Sequence, residues 1–381
     1  MKKKVAIVGT AGLPSNYGGF ETLAQNLVKN LGSRYEFVVY CKKTPRARRQ
    51  PTFLGARLVY LPFDSNGWQS LLYDIASLFH AFSTADVILY LGPGAGCMLP
   101  VNRLFAKNLV VNHGGLNEWE RDKLSAIEKR YIFISHMIAA RCSTNNVSDN
   151  FLLQRNIKQI FREDSVVIRY GGNHTSIPED DPELQARYPF IREPYFVSVA
   201  RAQIDNNLHV LIEAFKDMPD KKLVLVSNWS VSIYGRALFE QNQNINNIVL
   251  LPAIYDLRHL DYIRSRAAAY IHTHSSCGTA PSLVEAICLG LPIISWDVPT
   301  NRETTRERAL YFNSKESLQA VISAVTQADL DAVKGALRPL ATEEYRWDRI
   351  CEQYAELFDY KENAATILKH RQRRETEIKS F

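Results

Sequence analysis

Short apolar runs alternate with helix-length amphipathic stretches along most of the chain. In the first half the runs cover residues 5–10, 36–41, 57–61, 86–91, 109–112, 144–147 and 166–170. Between them, residues 20–31, 69–82 and 120–141 carry the three-to-four spacing of a helix with one buried face. The runs are rich in Val and Ile without strict alternation, as expected of strands buried on both faces of a parallel sheet. Strands that alternate with helices predict a doubly wound α/β layer.

The pattern stops over residues 173–194, where Asn173, Pro178, Glu179, Asp180, Asp181, Pro182, Pro189 and Pro194 make a polar, proline-rich break. It restarts with runs at 195–200, 222–226, 248–251, 268–273, 292–296 and 310–312, and from about residue 315 it is helical. This predicts a Rossmann-like domain over 1–172, a linker over 173–194, a second Rossmann-like domain over 195–345 and a helical tail over 346–381 that returns to the first domain. Ligands of such sheets bind beyond the carboxyl ends of the strands, so the cleft between the domains is the expected site.

A length of 381 residues suits two domains, each large enough to bury a core. Cys41, Cys97, Cys142, Cys277, Cys288 and Cys351 are scattered, without a CxxC pair, which suits reduced thiols in a cytoplasmic protein. The apolar run at 5–9 is too short for a signal-peptide core, and the chain lacks the roughly 18 apolar residues of a membrane span. The net charge of +6 is concentrated in Lys42, Lys43, Arg46, Arg48 and Arg49, and again in Lys369, Arg371, Arg373 and Arg374. Two readings of these clusters stand side by side: solvated surface, or attraction to anionic headgroups or a phosphate-bearing acceptor. Neither cluster is interleaved with aromatic residues, which disfavours nucleic acid as a partner.

Two loops carry candidate chemistry. The first runs from Gly9 through Gly12 to Gly18, Gly19 and Thr22, and departs from both the dinucleotide-binding glycine spacing and the Walker motif. Gly18 and Gly19 directly before a helix leave backbone N–H groups open to a phosphate; a plain strand-to-helix turn is the competing reading. The second runs from Ser275 to Ala286 after a buried strand. Pro281 suits a first helical turn, Thr279 or Ser282 is placed to cap it, and Glu285 is either a helix-start acid or a carboxylate for ribose hydroxyls.

With Tyr17–Thr22, Tyr170-Gly171-Gly172, Arg201, Pro281–Ala286 and Asp297–Glu303 in this order, the chain resembles the retaining glycosyltransferases of family 4. Within them it looks like the bacterial rhamnosyltransferase-type branch. The resemblance implies the GT-B fold, with two Rossmann-like domains facing each other across a cleft. It also implies transfer of a hexosyl unit, L-rhamnose from dTDP-rhamnose as first choice, to a hydroxyl of a surface-polysaccharide or lipid-linked glycan intermediate. The first domain would then bind the acceptor and the second the nucleotide-sugar. The place of work would be the cytoplasm, with peripheral contact at the anionic inner membrane face. The nucleotide-diphosphate sugar is a substrate, and no metal or other cofactor is expected.

By the same resemblance Gly18 and Gly19 face the donor diphosphate, Arg201 contacts its phosphates, and Glu285 holds the ribose. Cys277, Gly278, Thr279, Ala280, Pro281 and Ser282 complete the donor loop. Cys277 stands where the broad family has a glutamate, and Asn206 stands where it has a phosphate-binding lysine, so Arg201 carries more of the charge alone. His113 ends a strand at the cleft and is read either as a catalytic or acceptor-orienting group or as a packed imidazole, with Glu118 and Asp122 as competitors. The leaving diphosphate can itself take the acceptor's proton, which leaves the site to stabilise the departing charge.

Two other enzyme classes compete. A GT-B-fold epimerase would need acids placed for proton abstraction, and a nicotinamide oxidoreductase would need a glycine spacing that the first turn lacks. A non-catalytic sugar-nucleotide-binding protein is the third alternative, suggested by Cys277 and Asn206. Three acidic or metal-like patterns are set aside. His272 and His274 with Cys277 lack an evident fourth metal ligand, Asp329 and Asp331 read as helix-start acids, and Glu179, Asp180 and Asp181 read as solvated linker.

Overall fold

The computed structural model describes residues 2–15, 18–115, 118–120 and 124–360. The first sheet contains β1 (Lys3–Val8), β2 (Tyr35–Cys41), β3 (Thr52–Phe53), β4 (Ala56–Tyr60), β5 (Val87–Leu91), β6 (Asn108–Asn112), β7 (Asn145–Ser148) and β8 (Val166–Val167). Their order is β3-β4-β2-β1-β5-β6-β7-β8, parallel except for the β3–β4 hairpin at the edge. Helices α1 (Gly19–Leu31), α2 (Ser70–Thr84), α3 (Asn102–Phe105), α4 (Ala126–Cys142) and α5 (Phe151–Asn156) connect them. On α1, Leu23, Ala24, Leu27, Val28 and Leu31 are buried at three-to-four spacing, the stripe the sequence pattern anticipates. The helix expected from residue 120 starts at Ala126 instead, because Ser125 and Glu128 close a capping box there.

The second sheet contains β9 (Phe196–Val199), β10 (Leu223–Ser227), β11 (Ile248–Pro252), β12 (Ala269–His272), β13 (Ile293–Trp296) and β14 (Leu310–Phe312), all parallel, in the order β11-β10-β9-β12-β13-β14. It is preceded by α6 (Pro182–Arg187) and crossed by α7 (Leu208–Lys216), α8 (Ile233–Asn242), α9 (Leu257–Ser265), α10 (Pro281–Cys288) and α11 (Pro299–Thr305). The chain ends in α12 (Lys315–Ala324), α13 (Gln327–Pro339) and α14 (Trp347–Asp359). The order in which successive strands are added reverses between β1 and β5 in one sheet and between β9 and β12 in the other, the strands themselves staying parallel. Both reversals open crevices at the carboxyl ends of those strands.

One segment differs from the sequence reading. The stretch over 173–194 is not all solvated linker: Asp181 caps α6 by accepting from the Glu183 N–H, and Leu184 and Tyr188 are buried in the second core. Asp180 and Asp181 also pair with Arg266 and Arg258, so these acids pin the segment to α9 and the residue after it. Asp329, by contrast, closes a capping box with Thr326 at the start of α13. At the far end, Trp347, Ile350, Tyr354, Ala355 and Phe358 of α14 join Val5, Ile7, Leu27 and Val39 in the core of the first sheet. Residues 361–381, with the cluster from Lys369 to Arg374, lie outside the described residues.

Candidate active site

At the first reversal the chain leaves β1 through Gly9, whose φ is +89°; a Cβ there would lie 2.0 Å from the Leu91 carbonyl oxygen of β5. Only glycine permits that approach. The loop is tied back to α1, since the Ala11 N–H donates to Glu21 Oε1 at 2.6 Å and the Ser15 N–H to Gln25 Oε1 at 3.0 Å. Gly18 is the N-cap of α1 and supplies no side-chain cap. At the second reversal Arg201 follows β9 and is exposed, while His272 ends β12 and His274 lies two residues beyond it.

The two crevices meet. A Cβ on Gly19, the first residue of α1, would lie 3.0 Å from Pro281 Cγ, the first residue of α10. Ala280, the N-cap of α10, also lacks a side-chain cap. Two helix starts with unfilled N–H groups and positive dipole ends thus face one another across the cleft. That arrangement suits an anion.

Thr279 was expected to cap α10, and it does not. Its N–H donates to Asp149 Oδ2 at 2.8 Å and its hydroxyl to the Asp149 carbonyl at 3.1 Å, across the domain boundary. A Cβ at Gly278 would sit 2.6 Å from Asp149 Oδ2, so Gly278 makes room for this contact. Burial pushes the Asp149 carboxyl up to about 7, against the pull of the Thr279 N–H. A second carboxylate crosses in the other direction: Glu303 of α11 accepts from the N–H groups of Phe151 and Leu152, at 2.7 and 3.2 Å, at the start of α5. Each domain supplies a carboxylate to N–H groups of the other.

Glu285 lies on the second turn of α10. Its Oε2 pairs with Arg264 at 2.6 Å and its Oε1 lies 3.3 Å from His174 Nε2. Arg264 is fully buried and also pairs with Asp261 at 2.5 Å. Burial pushes the Glu285 carboxyl up, but Arg264 and His174 outweigh it and hold it at about 2. It is therefore a fixed anion with lone pairs left for further donors.

The other expected site residues divide. His113 is 0% exposed, and its Nε2 lies 2.8 Å from Asn146 Oδ1. The Asn146 amide nitrogen donates to the Ala140 carbonyl, so its oxygen faces the ring and His113 carries its proton on Nε2. Burial holds this imidazole down at about 4. Asn146 thus holds one edge of the ring, while Nδ1 on the other is buried without a hydrogen-bond partner among the described residues. Asn206 is likewise turned inward, 5% exposed, with its amide on the Arg201 carbonyl at 2.8 Å. It ties down the loop that follows Arg201. The Cys277 thiol is half-buried, 3.8 Å from Asn301 Oδ1. Tyr17, Asp122 and the side chain of Glu118 lie outside the described residues.

Ligating atoms of His272, His274 and Cys277 lie within 4.8 Å of one another. Arg201 acts on His274, and the uncapped start of α10 follows a few residues on, so the surroundings favour an anion over a cation. Sequence reasoning missed Asp149, Glu303, His174 and Arg264. The polar step Ser148-Asp149-Asn150 directly after a strand was a readable signal; nothing marked Arg264 as buried.

Two Rossmann-like units whose strand ends face a shared cleft, with a C-terminal helix returning to the first, define the GT-B fold. Solved structures of similar fold include sucrose-phosphate synthase from Thermosynechococcus elongatus (14% identity, TM-score 0.78, covering 94% of this chain and 98% of that one). Anabaena Alr3699/HepE in complex with UDP and glucose is similar at 16% identity and TM-score 0.72, over 93% and 99% of the two chains. WaaG, a glycosyltransferase involved in lipopolysaccharide biosynthesis, is similar at 14% and 0.68, over 94% and 100%. Residues 180–331 match the family described as Glycosyl transferases group 1, and residues 2–173 match a domain of unknown function, DUF1972. No curated protein matches the chain. Among the described residues no helix is long and apolar enough to cross a membrane.

Proposed function

We propose that the protein is a retaining glycosyltransferase that moves a hexosyl unit from a nucleotide-diphosphate sugar to a hydroxyl of a surface-polysaccharide or lipid-linked glycan intermediate. One observation carries this reading: two uncapped helix starts meet at Gly19 and Pro281, with the fixed anion Glu285 on the second turn of one of them. The helix starts and Arg201 hold the diphosphate, and Glu285 accepts from the ribose hydroxyls. In the reaction the bond from the sugar's anomeric carbon to the diphosphate breaks and a bond to the acceptor oxygen forms on the same face. The acceptor's proton passes to the leaving diphosphate, whose growing charge the helix starts and Arg201 stabilise. Because the leaving diphosphate takes that proton, this reading needs no protein base.

L-Rhamnose from dTDP-rhamnose is the first choice of donor, on the sequence resemblance. UDP-glucose is the second reading, favoured by the ligands of the Anabaena neighbour. The exposed Lys43, Arg46, Arg48 and Arg49 suit peripheral contact with an anionic membrane that carries the acceptor. A transfer and hydrolysis assay over UDP-, dTDP- and GDP-sugars tests the proposal. Turnover with one donor is expected, and its absence with all of them would leave a binding protein. Release of an epimerised donor would point to an epimerase. Glu285→Gln keeps the volume and should remove most of the thermal shift given by the preferred nucleotide; an unchanged shift would rule out the ribose role.

A further inference from the structure

Asn206 brings no charge to the cleft, so the diphosphate of the proposed donor needs a partner besides Arg201. We propose that the imidazoles of His272 and His274 bind the donor's phosphate oxygens, with His274 sharing the charge neutralisation with Arg201. This inference rests on the nucleotide-sugar reading and adds two residues to it.

Three observations carry it. The first is position: β9 and β12 are the strands between which the second sheet reverses, and Arg201 and His274 each lie two residues beyond one of their ends. A ligand of this sheet is expected there. The second is unmet hydrogen bonding, since Nε2 of both His272 and His274 is buried without a partner. A buried ring nitrogen left this way carries a desolvation cost that a ligand removes. The third is spacing. The ring nitrogens and the Cys277 thiol lie within 4.8 Å of one another. One oxygen accepting two hydrogen bonds of about 2.8 Å spans such a gap.

The loop is held for this purpose from both sides. The His274 carbonyl accepts from Asn301 Nδ2 at 2.9 Å, and the next residue, Ser275, donates its N–H to the Asp205 carbonyl at 3.1 Å. The charged and titratable groups that face the pair are Arg201 from the β9 loop, which acts on His274, His274 itself, which acts on His272, the Tyr270 ring stacked on His272, and the Cys277 thiol. Burial and Arg201 hold His274 at about 3, and burial and His274 hold His272 well below its usual range. Both are neutral at pH 7 before ligand arrives. An incoming diphosphate reverses the sign of the local field and raises the proton affinity of both rings. Binding should therefore take up protons and tighten as pH falls from 8 to 5. A divalent cation would meet Arg201 and the helix start, with like charge.

The test uses the full chain and isothermal titration with UDP and dTDP, each in two buffers of different ionisation enthalpy. Wild type should bind one of them with uptake of a fraction of a proton near pH 7. His274→Ala should weaken that nucleotide roughly 10–100-fold, and His274→Gln, which still donates but cannot charge, should fall between them without proton uptake. Affinity for the parent nucleoside should be unchanged in both variants, and thermal melts should confirm that both fold. Unchanged diphosphate affinity in a folded His274→Ala protein would overturn the inference and leave the nucleotide reading standing. Failure of wild type to bind any of UDP, dTDP and GDP in the same titration would overturn both. Stoichiometric zinc in the purified protein, lost on His274→Ala, would overturn it in favour of a metal centre.

Discussion

Asp149 and Glu285 are both carboxyls removed from water, and both meet the segment from Gly278 through α10, yet their protons answer to opposite forces. Glu285 has a buried guanidinium at 2.6 Å, which holds it ionised down to about pH 2. Asp149 is met chiefly by dipoles, the Thr279 N–H and the Asn150 amide, each at 2.8 Å, with Glu303 and Arg169 acting on it in opposite directions, and its proton stays on up to about pH 7. The difference lies in the partner, not in the depth of burial. One end of the segment is built as a permanent charge and the other as a contact that tolerates a neutral acid.

The sharpest way to break this contrast is to remove the cation. Arg264→Met leaves Asp261 and Glu285 buried without their partner and should cost about 3–5 kcal/mol in urea unfolding. Asp149→Asn tests the other side, because the amide oxygen can still accept from Thr279 while the charge is gone. A raised carboxyl stabilises the fold fully below its ordinary value of 3.8, and that contribution is lost as pH climbs to about 7. The variant should therefore match wild type at pH 4 and exceed it at pH 8 by on the order of 2 kcal/mol. Glu285 carries the opposite sign: its contribution is present above its ordinary 4.5 and disappears as pH falls toward 2. Acid unfolding of wild type should steepen in that window, and the Glu285→Gln protein should lack the steepening. The smallest effect is expected from Thr279→Val, which removes one hydroxyl bond to the Asp149 carbonyl and should cost about 1 kcal/mol with no change in pH dependence.

Much of the fold was legible because parallel strands buried on both faces announce themselves as Val- and Ile-rich runs. Residues 310–312 were placed without error, and most other strands differ by one or two residues. The β3–β4 hairpin was not legible: its turn, Leu54-Gly55, puts a leucine at φ 47°, where a reader looks for Asn or Asp. The donor loop was read from Pro281 and Glu285, whose positions at a helix start carry meaning by themselves. What sits across from that loop was hidden, since Asp149 and Gly278 are 129 positions apart and no local pattern joins them. The surroundings of His113 were hidden for a related reason: a histidine after a strand looks the same whichever of its neighbours, here Asn146 at Nε2, it meets.

The return of α14 has a consequence for how the protein is made. Its residues supply part of the inner wall of the first sheet, packed on α1, though they are synthesised after the entire second domain. During synthesis the first half therefore emerges with an apolar face uncovered, and it stays so until residue 359 has left the ribosome. The half that starts first is the one that finishes last.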